Sequence, residues 1–127
     1  MTDPLRLVVD DADPVPAYAQ LRRQLTDLIH SGVLPRGARL PALRQLAGDL
    51  DLAVGTVARA YRELEVTGLV TAHRGGGTRV AADPPTPTPG QIEQALLDHA
   101  IHYVRQARHL GMSADHILGA VRAALTS

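Results

Sequence analysis

The amino-acid sequence predicts a mainly α fold with a small β-wing, followed by a C-terminal tail of two helices. Three observations carry this prediction. Leu43, Leu46, Ala47 and Leu50 fall at i, i+3, i+4 and i+7, the spacing of one helix face. Val57, Tyr61 and Leu64 repeat that spacing after a tight connection around Asp51 to Val54, which sets a second helix close behind the first. After Gly68, suited to cap the second helix at its C-terminal end, the β-prone pieces Leu69–Ala72 and Thr78–Val80 flank Gly75-Gly76-Gly77. A helix, a turn, a helix and a hairpin result.

Such a unit suits binding to double-stranded DNA. A helix about 10 to 12 Å across enters a major groove about 12 Å wide. The hairpin then lies over neighbouring backbone.

Upstream, Leu5-Arg6-Leu7-Val8-Val9 alternates as a strand does, and its expected partner is an edge of the wing sheet. Pro14 and Pro16 precede an amphipathic helix from about Ala17 to Ser31, with Tyr18, Leu21, Leu25, Leu28 and Ile29 in one stripe for the core and Gly32 at its end. The glycines and prolines of Gly32–Pro41 predict a fixed connecting loop. Pro41 costs little near the start of the next helix, where its missing N–H would lack a partner anyway.

Beyond Val80 the composition changes. Residues 83–90, DPPTPTPG, read as an extended linker between a first domain, 1–82, and a helical segment, 91–127. In that segment Ile92, Ala95, Leu96, His99, Ala100, Tyr103, Val104, Ala107 and Leu110 share a face, Gly111 ends the helix, and Ser113 caps a last one carrying Ile117, Leu118, Val121 and Leu125. Two helices cannot bury both apolar faces against each other. A second copy of the chain is the economical partner, and Ile92, Leu96, Tyr103, Val104, Leu110, Ile117, Leu118 and Val121 are its expected contacts.

Composition narrows the function classes. The chain has 127 residues, 45% of them hydrophobic, enough for one domain with an appendage and too few for a large enzyme cleft. Without cysteine there is no disulfide framework, thiolate metal site or thiol nucleophile. No apolar run approaches the roughly 18 residues of a spanning helix. The acidic start, MTDPLRLVVDDAD, is unlike a basic signal peptide, so the expectation is a cytoplasmic protein with no membrane partner.

The formal net charge is zero, which by itself speaks against a nucleic-acid partner. The distribution of charge points the other way. Between Arg36 and Arg79 seven arginines face four acids, a local balance of +3, and with no lysine in the chain every fixed cation is a planar guanidinium suited to phosphate or guanine.

The motifs L-P-x-x-R-x-L-A (Leu40–Ala47), T-V-x-R-A-Y-x-E-L-E (Thr56–Glu65), G-L-V (Gly68–Val70) and R-G-x-G-T (Arg74–Thr78) stand here in fixed order. With them the chain resembles the GntR family of bacterial winged-helix transcription regulators. The ARAYRELE wording and the R-x-L-G-M-S-x-D-x-I-L pattern of the tail are similar to the small YtrA-type subgroup, a likeness that covers nearly the whole chain. It implies a winged helix-turn-helix DNA-binding domain with a dimerisation tail. The implied function is sequence-specific transcription regulation, as a repressor that meets a pseudo-palindromic operator as a homodimer. Neither cofactor nor enzymatic activity is implied. A small-molecule effector of unspecified chemistry is allowed as a further partner.

The resemblance places Arg44 on the DNA backbone, where its fork grips phosphate oxygens bidentately; the bland alternative is a surface pair with Asp49 or Asp51. The reading helix departs from the family. Where relatives carry a polar run before T-V, this chain has Ala53, Val54 and Gly55, so a capping side chain worth about 1 kcal/mol is missing. Gly55 permits close backbone approach. Thr56 and Arg59, three apart, share a face, with Arg62 farther along. At the wing, Arg74, Gly75 and Gly76 form the tip, where glycines allow the turn and Arg74 reaches phosphate or the minor groove. Gly76 stands where relatives are often basic.

Two alternatives belong beside this reading. The Ala53-Val54-Gly55 replacement also suits a winged helix turned into a protein-interaction module with a weakened DNA face. The tail histidines His99, His102, His109 and His116 include one H-x-x-H, but with no cysteine beside them the expectation is no metal.

Overall fold

The computed structural model describes residues 5–127. Its elements are α1 (Ala17–His30), α2 (Leu43–Leu50), α3 (Val54–Val66), β1 (Val70–His73), β2 (Gly77–Val80), α4 (Pro89–His109) and α5 (Ala114–Leu125). The chain divides into two compact units, one ending at Thr86 and one spanning Pro87–Ser127.

In the first unit, α1 and α3 form the main helix pair, α2 packs on α3, and the hairpin follows from α3. Leu21 and Leu25 of α1 and Val57 and Ala60 of α3 are fully buried, joined by Leu46, Leu64, Val70 and Val80. Each large side chain so buried stabilises the fold by about 1.5 to 3 kcal/mol before the entropy of ordering it is counted. The stripe predicted for α1 is the one that turns inward, with Tyr18 and Leu28 at its half-buried margins.

The connection between α2 and α3 is tight because Asp51 takes the left-handed conformation, φ 55°, which aspartate tolerates better than most residues. Leu52 N–H then closes onto the Ala47 carbonyl at 2.8 Å. At the far end of α3, Gly68 adopts φ 80° and Leu69 N–H returns to the Leu64 carbonyl, so the chain leaves the helix directly into β1.

The hairpin is antiparallel, with Val70 opposite Val80 and His73 opposite Gly77. The connector before α2, where glycine and proline predict only loop, adds an isolated bridge to this two-stranded sheet. Gly37 N–H bonds the Val80 carbonyl, Leu40 N–H bonds the Thr78 carbonyl, Val80 N–H bonds the Ala38 carbonyl, and Arg39 stands opposite Arg79.

The strand predicted over Leu5–Val9 does not form. That segment is irregular, and its partners are side chains of α1 rather than the wing edge. Val8 donates its N–H to Gln24 Oε1 and accepts from Gln24 Nε2, while Asp10 does the same with Gln20. The geometry explains the substitution. Two residues of extended chain advance about 6.6 Å, and four of helix about 6 Å. Glutamines one turn apart on α1 therefore meet alternate residues of an extended segment with an amide each, while Leu7 turns into the core.

In the second unit, α4 starts inside the segment read as linker. Thr88 accepts from Gln91 N–H, the Gln91 side chain returns to Thr88 N–H, and Pro89 takes the first helical position, where it costs nothing. Pro89 and Gly90 are therefore helical, which corrects the expectation of extended chain through residue 90. Gly111, at φ 79°, ends the turn after α4, and Ser113 caps α5 through His116 N–H, as the sequence predicts. Among the described residues no helix is long and apolar enough to cross a membrane.

Candidate nucleic-acid interface

Both α2 and α3 begin without a capping side chain, since their N-cap residues are Ala42 and Ala53. Unpaired N–H groups and the positive end of each helix dipole at these starts favour an anion. Arg44 stands in the first turn of α2 and is exposed. The start of α2 is fixed from behind by Tyr61 of α3, whose hydroxyl donates to the Pro41 carbonyl at 2.7 Å. Burial pushes that phenol well above its usual range, so it stays a neutral donor. Tyr61 thus couples the helix that carries Arg44 to the helix behind it.

The outer face of α3 carries Gly55, Arg59 and Arg62, all on the side turned from the core, with Thr56 half-buried at its edge. A Cβ added at Gly55 would meet nothing within 4 Å, so the first turn of α3 is open to a close partner. Arg62 forms no ion pair among the described residues, nor do Arg44 and Arg74.

Arg59 differs from the sequence expectation. Its guanidinium lies over the Tyr18 ring at 3.6 Å from the centroid, and its Nε donates to Glu63 Oε2 at 3.3 Å. Glu63 accepts from Arg22 as well. The Arg22 bond is the main reason the Glu63 carboxyl lies below its usual range; partial burial opposes this and the Arg59 bond adds to it. Arg59 is therefore on the predicted face with its cation already engaged. The sequence assigns Tyr18 to the core stripe of α1 and does not single out Arg22, so its spacing gives no sign of this cluster.

At the wing, Arg74 and Gly75 occupy the turn, Gly75 at φ 75°, and Gly76 N–H closes it onto the His73 carbonyl at 3.1 Å. Arg39, which the sequence does not single out, reaches this region from the connector through its bridge to Arg79. Its place in the Gly32–Pro41 connector is plain in the sequence, but its pairing with a residue beyond α3 is not.

The tail residues fall into two groups. Ile92, Leu96, Leu110, Leu118 and Val121 are exposed, as are Leu97, Ile101, Met112 and Leu125. Tyr103 and Val104 are half-buried, and Ile117 is buried with its carbonyl accepting from Tyr103 Oη at 3.4 Å. Leu97 and Ile101 are i, i+4 neighbours beside the predicted stripe, an apolar pair which that stripe leaves out. Among the described residues no cluster of three or more histidine or acidic side chains is placed to hold a metal ion.

Comparison with known proteins agrees with this geometry. The family model described as bacterial regulatory proteins, gntR family, matches residues 17–80. The HTH-type transcriptional regulator Rv1152 of Mycobacterium tuberculosis is 42% identical over 107 residues, 84% of this chain and 84% of that protein. The HTH-type transcriptional repressor YtrA of Bacillus subtilis is 33% identical over 78 residues, 61% of this chain and 60% of that protein. Among solved structures, the DNA-binding domain of AraR in complex with operator ORX1 superposes with a TM-score of 0.54 at 28% identity, covering 59% of this chain and 96% of that one.

Proposed function

The chain belongs to the gntR family of bacterial regulatory proteins, as a YtrA-like DNA-binding transcription regulator, and on that premise we propose that it is a repressor that meets a pseudo-palindromic operator as a homodimer. The observation that carries the proposal is the open start of α3. Gly55 leaves its first turn bare, Arg62 extends the same exposed face, and Arg44 of α2 and Arg74 of the wing turn are exposed as well. Phosphates at the uncapped helix starts and along these arginines position the chain. Sequence is read by what remains at the start of α3, Thr56 foremost. The tail supplies the second copy, and two reading helices about one helical turn apart give the operator its two-fold character. The name of the YtrA relative supports repression, and action on operator DNA is in keeping with a cytoplasmic protein.

Retention on duplex DNA across a salt series tests this. Each phosphate contact contributes about −0.9 to the slope of log affinity against log salt, so Arg44→Ala with Arg62→Ala should flatten the wild-type slope by about 1.8 if both touch phosphate. Wild-type retention that ignores salt would instead identify a protein-interaction module.

A further inference from the structure

An isolated bridge sets Arg39 opposite Arg79, held by Leu40 N–H to the Thr78 carbonyl and Val80 N–H to the Ala38 carbonyl, both at 2.8 Å. Like charges directly opposed across a ladder repel. Neither arginine forms an ion pair among the described residues.

Uncharged backbone seats both cations instead. Arg79 Nη1 donates to the Gly37 carbonyl at 3.3 Å. Arg39 lays its guanidinium over Gly77, where a Cβ would fall 2.9 Å from Nε and 3.1 Å from Nη2. Any side chain at that position would displace Arg39, and the backbone there, at φ 71°, already favours glycine. A Cβ at the neighbouring Gly76 would lie 4.0 Å from Arg79 Nε. Two guanidiniums are thus held at the root of the tip that carries Arg74, and neither is in an ion pair among the described residues.

We infer that Arg39 and Arg79 form a two-cation clamp for the phosphodiester backbone of duplex DNA, on the flank of the wing and separate from the cations of α2 and α3. The clamp rests on the reading of this chain as a duplex-binding protein. A backbone phosphate is the fitting occupant because it brings the missing negative charge, and because planar forks with several donors each grip its oxygens.

The test uses the full chain with Arg39→Gln, Arg79→Gln and the double variant, against two duplexes of equal length and unrelated sequence. Fluorescence anisotropy over a sodium chloride series reads the affinity, and circular dichroism reads the melting temperature. The double variant is expected to flatten the salt slope by about 1.8, equally on both duplexes. Arg39→Gln alone is expected to melt no lower than wild type, since a repulsion has been relieved. A double variant whose slope matches a steep wild-type slope would overturn the clamp while leaving the duplex-binding reading intact. An effect confined to one of the two duplexes would make the pair a base reader and also overturn it. Wild-type protein without salt-dependent binding would remove both readings together.

Discussion

Arg59 and Arg62 lie on the same outward side of α3, yet only one of them is at liberty. To reach a base or a phosphate Arg59 must leave the Tyr18 ring, a cation–π contact worth about 0.5 to 1 kcal/mol at an exposed site, and give up its bond to Glu63. Arg62 gives up no such contact. The expected result is that Arg62→Ala lowers duplex affinity more than Arg59→Ala does. In urea unfolding the order reverses, with Arg59→Ala destabilising by about 0.5 to 1 kcal/mol and Arg62→Ala within about 0.5 kcal/mol of wild type. Equal losses of affinity with unchanged stability would show that the Tyr18 contact does not restrain Arg59 in solution. The face on which Arg59 lies is legible from its spacing to Thr56. Its engagement is not, because Tyr18 and Arg22 belong to α1 and no local pattern brings a residue 41 positions away onto Glu63.

The helix starts show which local signals can be read and which stay hidden. At α3 the absence of a polar residue before T-V predicts an uncapped end, and Ala53 takes the extended φ −66°, ψ 144° of an N-cap with no side-chain bond. At α4 the capping pair Thr88 and Gln91 around Pro89 stands equally plain in the sequence, but the proline-rich composition masks it. The Leu5–Val9 segment fails for a different reason. Its alternation is real, but two side-chain amides meet it in place of a strand, and no pattern within the segment reveals that. The bare end of α3 gives a sharp test of where DNA lies. Ala53→Ser should restore a cap and stabilise by about 1 kcal/mol without hindering a phosphate; Ala53→Asp should stabilise comparably through the cap and the helix dipole. Only aspartate sets a negative charge where a phosphate would approach. Weaker duplex binding by Ala53→Asp than by Ala53→Ser, with both melting above wild type, is the expected pattern. Equal binding by the two would place the start of α3 away from the duplex.

The whole molecule must account for the apolar surface of its tail. Within Pro87–Ser127, Leu96 is 69% exposed, Leu118 56% and Leu125 80%, with Ile92, Leu97, Ile101 and Leu110 also open. Helical spacing makes most of this surface legible in the sequence, Leu97 and Ile101 falling outside the predicted stripe, but no sequence pattern states how much of it one chain can cover. Full burial of a leucine or isoleucine is worth about 1.5 to 3 kcal/mol. Micromolar association needs about 8 kcal/mol net of the cost of immobilising two bodies. Several such residues from each of two copies are enough to reach it, whereas two or three are not. Leu96→Asp with Leu118→Asp places a charge within both helices of that surface, and the sedimentation coefficient should fall from that of a dimer to that of a monomer. The first unit keeps its own buried core, so its melting should be little changed. Duplex binding should weaken well beyond the loss of a single contact, because the second domain no longer benefits from the effective concentration its partner provides. A wild-type chain that sediments as a monomer at micromolar concentration, or a charged variant that stays paired and binds as before, would remove the tail from the account of how two reading helices reach one operator.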